Sequence, residues 1–358
     1  MPRARDLGLR TGSLPTGPTN SVLDVAGVGV GHATVHRDEP APPQGRGVAR
    51  TGVTCVLLAE DAYRRPVPAG GAVLNGAGEC TGFLTATEWG SAETPVYLTS
   101  TMQLGRVYDA ACEIALEQHA EVAGDVVIPV VGECDDSHLN DCRRMQVTAD
   151  DVRAARAAAL ASRGSGVPPE EGAVGAGTGM SCFGFKGGIG TASRVTAEGH
   201  TVGVLLLTNF GTRDQVVVAG VPVGRLLPPA AATGPDAPAG SCLGLVVTDA
   251  PVDGASCARL ARRIGLGLAR TGSVAHHGSG EIFLGFGTGL RLDRDGTPDR
   301  AALAARALDP LFAAVVEAAE EAVLNSMFTA PTTTGRDGNT SESLHSPEVL
   351  ALLDGVRA

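Results

Sequence analysis

Ser241 stands where a serine could act on its own chain. It follows PPAAATGPDAPAG at 228–240, a stretch with four prolines and no large apolar side chain that reads as a flexible or extended linker. Directly after it, Cys242-Leu243-Gly244-Leu245-Val246-Val247-Thr248-Asp249 resumes as a buried strand. One reading of the junction is a domain boundary. The other is self-cleavage, in which Ser241 Oγ attacks the Gly240 carbonyl, an N→O acyl shift leaves an ester, and water hydrolyses it. Gly240 suits that path because no Cβ blocks approach or forbids a strained backbone. The freed Ser241 would carry a hydroxyl nucleophile together with an α-amine of pKa roughly 7.7–8.0, a general base on the same residue. The products would be residues 1–240 and 241–358.

Other chemistry-bearing residues are sparse. Lys186 is the single lysine and lies among glycines in Cys182-Phe183-Gly184-Phe185-Lys186-Gly187-Gly188, but no Ser or Thr follows a Gly-Lys pair, so a phosphate-binding loop is incomplete. A nucleotide-binding module is disfavoured for that reason. The eight cysteines contain no C-x-x-C and are too few for a disulfide scaffold, so most are expected to be reduced, buried side chains. The eight histidines show no zinc spacing, and His276-His277 is their one cluster. Neither a metal nor a cofactor is expected.

A net charge of −11 argues against a nucleic-acid or anionic-membrane surface. No run of 18 apolar residues appears, and the N-terminus lacks the apolar stretch of a secretory signal, so a cytoplasmic protein is expected. With 43% hydrophobic residues against 19% charged, 358 residues can bury a large core as two domains or one. The 49 glycines follow no Gly-X-Y period and point to tight turns and close backbone approaches.

The elements needed to hold these residues alternate. Strands are expected at 21–25 running into 27–32, and at 52–58, 126–131, 201–210, 215–223, 242–249 and 281–286. Helices are expected at 104–120, at 148–162 with Thr148 as N-cap, at 253–270, and within 301–327 around Pro310. Continuous apolar strands between Ala-rich helices indicate a layered α/β protein with sheets buried on both faces.

Several long blocks, in order, carry a more specific signal: RTGSLPTGPTNSVLDVAGVGVGH, GGAVLNGAGECTG, PVVGECDDSHLND, GAVGAGTGMSCFGFKGGIGTASR, LLLTNFG, GSCLGLVVTDAP, HHGSGEIFLGFGTG and EEAVLNSMFTAPTTTGRDGNTSESL. Across essentially the whole chain the sequence resembles the L-aminopeptidase/D-esterase/amidase (DmpA-like) family, which includes β-peptidyl aminopeptidases. The resemblance implies one αββα four-layer sandwich built from both autoproteolytic fragments, with assembly into a homo-oligomer, commonly a tetramer. It also implies an N-terminal-serine hydrolase made as a precursor and cut at Gly240-Ser241.

Residue by residue, Ser241 matches the nucleophile, Ser279 and Glu281 the Ser-x-Glu pair, Asn209 the oxyanion-stabilising asparagine, and Glu133 the carboxylate for the substrate's free amine. Cys242 departs from the β-branched residue usual after the serine and is expected on the strand's opposite face. Two-residue alternation would place Ser279 and Glu281 on one face, beside Ser241 if the strands neighbour. Glu281 would then hold an ammonium or relay a proton, with Ser279 bridging it to the nucleophile. Asp135 and Asp136 share Glu133's task or cap the loop, the latter being expected. Lys186 depresses the α-amine pKa, braces Asn209, or is structural. The implied activity is release of N-terminal residues from short peptides, amides or esters. Alternatives are a β-amino acyl peptide or ω-amino-acid oligomer as substrate, or acyl transfer; the sequence does not choose among L-, D- and β-amino acyl groups.

Overall fold

The computed structural model describes residues 1–228 and 240–357, so nearly all of the expected linker lies outside the described residues. In chain order the strands are β1 (Gly29–Arg37), β2 (Ala49–Leu57), β3 (Val67–Gly76), β4 (Cys80–Thr81), β5 (Ser91–Ala92), β6 (Val96–Ser100), β7 (Val130–Cys134), β8 (Gly188–Val195), β9 (Thr201–Asn209), β10 (Ser241–Thr248) and β11 (Gly280–Gly287). The long helices are α1 (Leu104–Gln118), α2 (Ala149–Ser162), α3 (Gly254–Arg270) and α4 (Asp309–Phe328). These strands form two large sheets, ordered β1-β2-β6-β7-β4 and β8-β9-β10-β11-β3-β5; short pairs at 181–186 and 333–341 make two further small sheets. The apolar residues divide into three layers accordingly. Val56, Leu98, Leu205, Leu243 and Leu284 fill the space between the sheets. Val204, Val246 and Phe283 face α3 and α4, while Val53, Tyr97 and Val131 face α1 and α2. The result is the αββα four-layer sandwich.

Glycines set how closely the layers approach. A Cβ on Gly190 of β8 would lie 1.9 Å from the Ala322 carbonyl oxygen of α4, and one on Gly31 of β1 would lie 2.1 Å from the Ala159 nitrogen of α2. Helix starts follow the expected chemistry. Thr148 accepts from the Asp151 amide while Asp151 accepts from Thr148, and Asp253 caps α3 through the Ser256 amide at 2.8 Å.

Four segments depart from expectation. Residues 21–25 form a 3₁₀ turn instead of a strand, because Ser21 and Asp24 close a capping box that competes with sheet pairing. The segment expected at 126–131 pairs only from Val130, after Pro129, and Val126 is exposed. Residues 215–223 make no strand; Val218 and Val221 bridge a tight turn in which Ala219 and Gly220 both have positive φ. The last long helix begins at Asp309 with Pro310 in its first turn, and 301–304 lies outside it.

A buried ionic cluster joins residues from both sides of the Gly240–Ser241 junction. Fully buried Arg194 on β8 donates to Glu321 at 2.7 Å and Glu317 at 3.2 Å on α4, and to the Thr11 carbonyl at 2.8 Å. Glu321 also accepts from Arg5 at 2.8 Å and from Asn20 at 2.5 Å. Arg194→Met strands these carboxylates in a dry interior and should destabilise the protein by about 3–5 kcal/mol, read from the midpoint of urea unfolding.

Candidate active site

Ser241 opens β10 in the middle of the six-stranded sheet, antiparallel to β9 and parallel to β11. Register pairs it with Asn209 on one side and Gly280 on the other. Its neighbours along the strand on the same face, Leu243 and Leu245, point into the gap between the sheets. Ser241 and Asn209 therefore face that gap together, and Cys242 packs on the helix side, as expected. Ser241 Oγ is buried and has no hydrogen-bond partner among the described residues, with the Cys134 thiol nearby. Ser241 is one of the residues lining a cleft of about 400 Å³, with Gly78, Thr101, Met102, Glu133, Asp135 and Gly240 among the others.

The Ser-x-Glu pair is formed but lies differently from expectation. Ser279 Oγ donates to Glu281 Oε1 in a short bond. The parallel register sets Cys242, not Ser241, opposite Glu281, so Glu281 stands on the helix-side face while Ser241 faces the cleft. Ser279 Oγ comes instead against Gly240, 3.2 Å from where a Cβ would sit. Ser279 thus lies against the Gly240–Ser241 junction, and neither it nor Glu281 hydrogen-bonds the Ser241 hydroxyl. Burial holds the Glu281 carboxyl above the usual range against the pull of the Ser279 bond, and its Oε2 is buried without a partner. The Gly240 carbonyl accepts from the Gly280 amide at 3.1 Å. A Cβ at 240 would approach the Asn209 carbonyl oxygen to 2.9 Å, so the junction needs glycine for space.

Asn209 is held from two sides: its Oδ1 accepts from the Ser181 amide at 2.8 Å and its Nδ2 donates to the Asp135 carbonyl at 2.8 Å. One Nδ2 hydrogen remains for a ligand. Glu133 is buried, accepting from the Glu79 amide at 2.7 Å on Oε1 and from the Thr101 hydroxyl on Oε2. Burial raises its pKa, and the carboxylates of Asp135 and Glu79 add to the rise. Asp135 caps its loop through the Ser137 amide at 2.8 Å and hydroxyl at 3.0 Å. Asp136 is buried behind it, bonded to Asn140 at 3.0 Å, with a carboxyl that burial pushes up to about 6. Asp135 caps its loop as expected, whereas Asp136 binds the side chains of Asn140 and Cys142 and no loop amide.

Lys186 Nζ is fully buried and donates to the carbonyls of Gly177 at 3.0 Å, Met180 at 2.6 Å and Gly187 at 2.7 Å. All three ammonium hydrogens are taken by the backbone, so none is left for Ser241. Burial lowers its pKa to about 7, against an opposing electrostatic pull from Cys182 and Asp136. Its hold on Met180 is adjacent to Ser181, whose amide orients Asn209, so of its expected roles the geometry retains bracing. Asn75 was not singled out by sequence. Its Nδ2 meets the carbonyls of His276 at 3.1 Å, His277 at 3.0 Å and Ser279 in a short contact, fixing the loop that carries Ser279. Thr101 was missed as well, and both partnerships join segments no local pattern connects.

Comparisons with known proteins give the family and the fold. The profile of peptidase family S58 matches residues 20–341. The chain is 39% identical to a β-peptidyl aminopeptidase BapA of Sphingosinicella microcystinivorans, over 99% of this chain and 93% of that one. It is also 39% identical to a BapA of Sphingosinicella xenopeptidilytica, over 93% and 86% of the two chains. A solved protein of Pyrococcus horikoshii superposes with a TM-score of 0.89 at 39% identity, covering 98% of each chain. The L-aminopeptidase D-Ala-esterase/amidase of Ochrobactrum anthropi, described as a variant of the Ntn hydrolase fold, superposes with a TM-score of 0.88 at 34% identity over 100% of each chain.

Lys186→Met removes a donor from three buried carbonyls; those of Gly177 and Met180 keep the Met180 amide at 3.2 Å and the Gly187 amide at 3.0 Å, and that of Gly187 keeps no donor among the described residues. At roughly 1–3 kcal/mol for an unsatisfied buried group, the loss should be about 1–3 kcal/mol, measured by chemical denaturation.

Proposed function

The chain belongs to peptidase family S58, and from that premise we propose that it is an aminopeptidase that cuts itself before Ser241 and then uses this residue as an N-terminal nucleophile. The observation that carries the reading is the place of Ser241: first residue of a central strand, lining a substrate-sized cleft, its buried hydroxyl without a partner among the described residues, and Ser279, bonded to Glu281, against Gly240.

In maturation Ser241 Oγ attacks the Gly240 carbonyl carbon while the Gly280 amide steadies the oxygen. The C–N bond breaks, the Oγ proton passes to the departing nitrogen, and an ester remains. Water hydrolyses it to the Gly240 carboxylate and the Ser241 hydroxyl, leaving Ser241 with the α-amine that the acyl shift freed. That amine is released beside Ser279 and Glu281, where the carboxylate holds its ammonium form as a proton is taken up. In turnover the amine accepts the Oγ proton as Oγ attacks the substrate carbonyl, the free Nδ2 hydrogen of Asn209 supports the oxyanion, and Glu133 receives the substrate's own amine. The leaving amine or alcohol departs and water deacylates the serine. The two fragments remain one fold, held in part by the Arg194 cluster.

Ser241→Ala should run as a single uncut chain on a denaturing gel and hydrolyse no p-nitroanilide of L-alanine, D-alanine or a β-homo-residue; cleavage or activity in that variant would sink the assignment. In the wild type, amine labelling followed by mass spectrometry should find one new α-amine at Ser241, easily distinguished because Lys186 is the single lysine. Asn209→Ala should lower kcat on the order of 10²–10³-fold in protein already cut. Glu133→Gln should raise KM by about 10- to 100-fold, the loss of a charged hydrogen bond. In the wild type KM should climb as pH falls, from a pH above the ordinary carboxylate range, because protonated Glu133 no longer attracts the ammonium; this limb should be flat in Glu133→Gln.

A further inference from the structure

The cleft before Ser241 carries more negative charge than a single substrate amine requires. Glu133 and Asp135 both line it, and none of its described lining residues is Lys, Arg or His. Asp135 is half-buried, and its two oxygens each accept one hydrogen bond, from the Ser137 amide at 2.8 Å and hydroxyl at 3.0 Å. Each oxygen keeps a further lone pair for a ligand. Behind Asp135, ligand atoms of Asp136 and Cys142 lie within 4.8 Å of it and of each other. Arginines in this part of the chain are engaged elsewhere: Arg143 pairs with Asp141 at 2.6 Å, and Arg50 with Asp38 at 2.7 Å. Ser241, whose buried hydroxyl has no hydrogen-bond partner among the described residues, lines the same cavity, so the nucleophile proposed above would meet an acyl group held there. At about 400 Å³ the cavity has room for an acyl group with a long side chain.

We propose that Asp135 makes this cleft selective for acyl groups bearing a second positive charge, with the substrate's amine on Glu133 and a side-chain ammonium or guanidinium on Asp135. The proposal rests on the roles given above to Ser241 and Glu133. A singly charged substrate leaves one carboxylate uncompensated in a confined site, a doubly charged one neutralises both, and an acidic side chain adds a third negative charge.

The test compares arginyl and citrullyl p-nitroanilides, which match in size and shape and differ in charge, in the α- and β-homo series, with the alanyl compound as reference. Wild-type enzyme should prefer arginyl over citrullyl by about 10-fold or more in kcat/KM, as expected for a charge-assisted contact. Within Asp135→Asn the same ratio should fall towards one, and because it is internal to one protein, any general loss of activity cancels. A wild-type ratio near one overturns the proposal whether or not the variant folds, as does a preference that survives Asp135→Asn. Hydrolysis of the alanyl compound alone overturns it while leaving the Ser241 reading intact. Failure of cut protein to hydrolyse any of them removes both.

Discussion

Strands β10 and β11 run parallel at the middle of the six-stranded sheet with Ser241 opposite Gly280, and the geometry of the site descends from that register. It brings the Gly280 amide onto the Gly240 carbonyl. It turns Ser241 and Asn209 to the gap between the sheets and leaves Glu281 on the helix-side face, with Ser279 against Gly240. A slip of one residue would exchange the two faces and send the hydroxyl into the packing of α3 and α4. Parallel neighbours require a crossover, and α3 supplies it between the two strands. The faces are held by their contents, since Leu243 and Leu245 are buried between the sheets and Val246 against the helices.

Around this pair the backbone passes very close to itself. A Cβ on Gly280 would come 2.3 Å from the Ala77 carbonyl oxygen, and one on Gly187 would come 2.6 Å from that of Thr208. Such passages leave buried carbonyls in need of donors, and Lys186 supplies three at one point. The support then runs outward through hydrogen bonds: Lys186 to Met180, Ser181 to Asn209, Asn209 to Asp135. The amide proposed for the oxyanion and the second carboxylate of the cleft are thus linked through one side chain. The glycine surplus is the steric condition for placing these groups so near one another.

Much of the fold was legible along the chain because apolar runs and caps are local signals. Thr148 and Asp253 begin their helices as such residues should, and strands β9, β10 and β11 fall within one or two residues of the apolar runs. The misreadings share a cause. Val22–Asp24 and Val216–Val221 look like strands by side chain, yet Asp24 binds nearby backbone and hydroxyl groups and the Ala219-Gly220 turn folds its segment back, so hydrogen bonds and φ angles overrode β propensity. The residues proposed for the site, Ser241, Asn209, Ser279, Glu281 and Glu133, lie in the sequence blocks that carry the family resemblance. The roles of Asn75 and Thr101 were not legible there, since their partners lie far along the chain.

The sequence by itself determined the layered α/β architecture, the family, and the glycine–serine junction at the head of a buried strand, because composition, periodicity and ordered motifs are written residue by residue. Tertiary structure alone decided that Ser279, bonded to Glu281, lies against Gly240 without a hydrogen bond to the Ser241 hydroxyl. It likewise turned the single lysine inward onto carbonyls and set two carboxylates in one cleft. Alternation tells which residues of a strand share a face, but the register against a neighbouring strand tells which groups meet, and that register is fixed by packing across the whole sandwich.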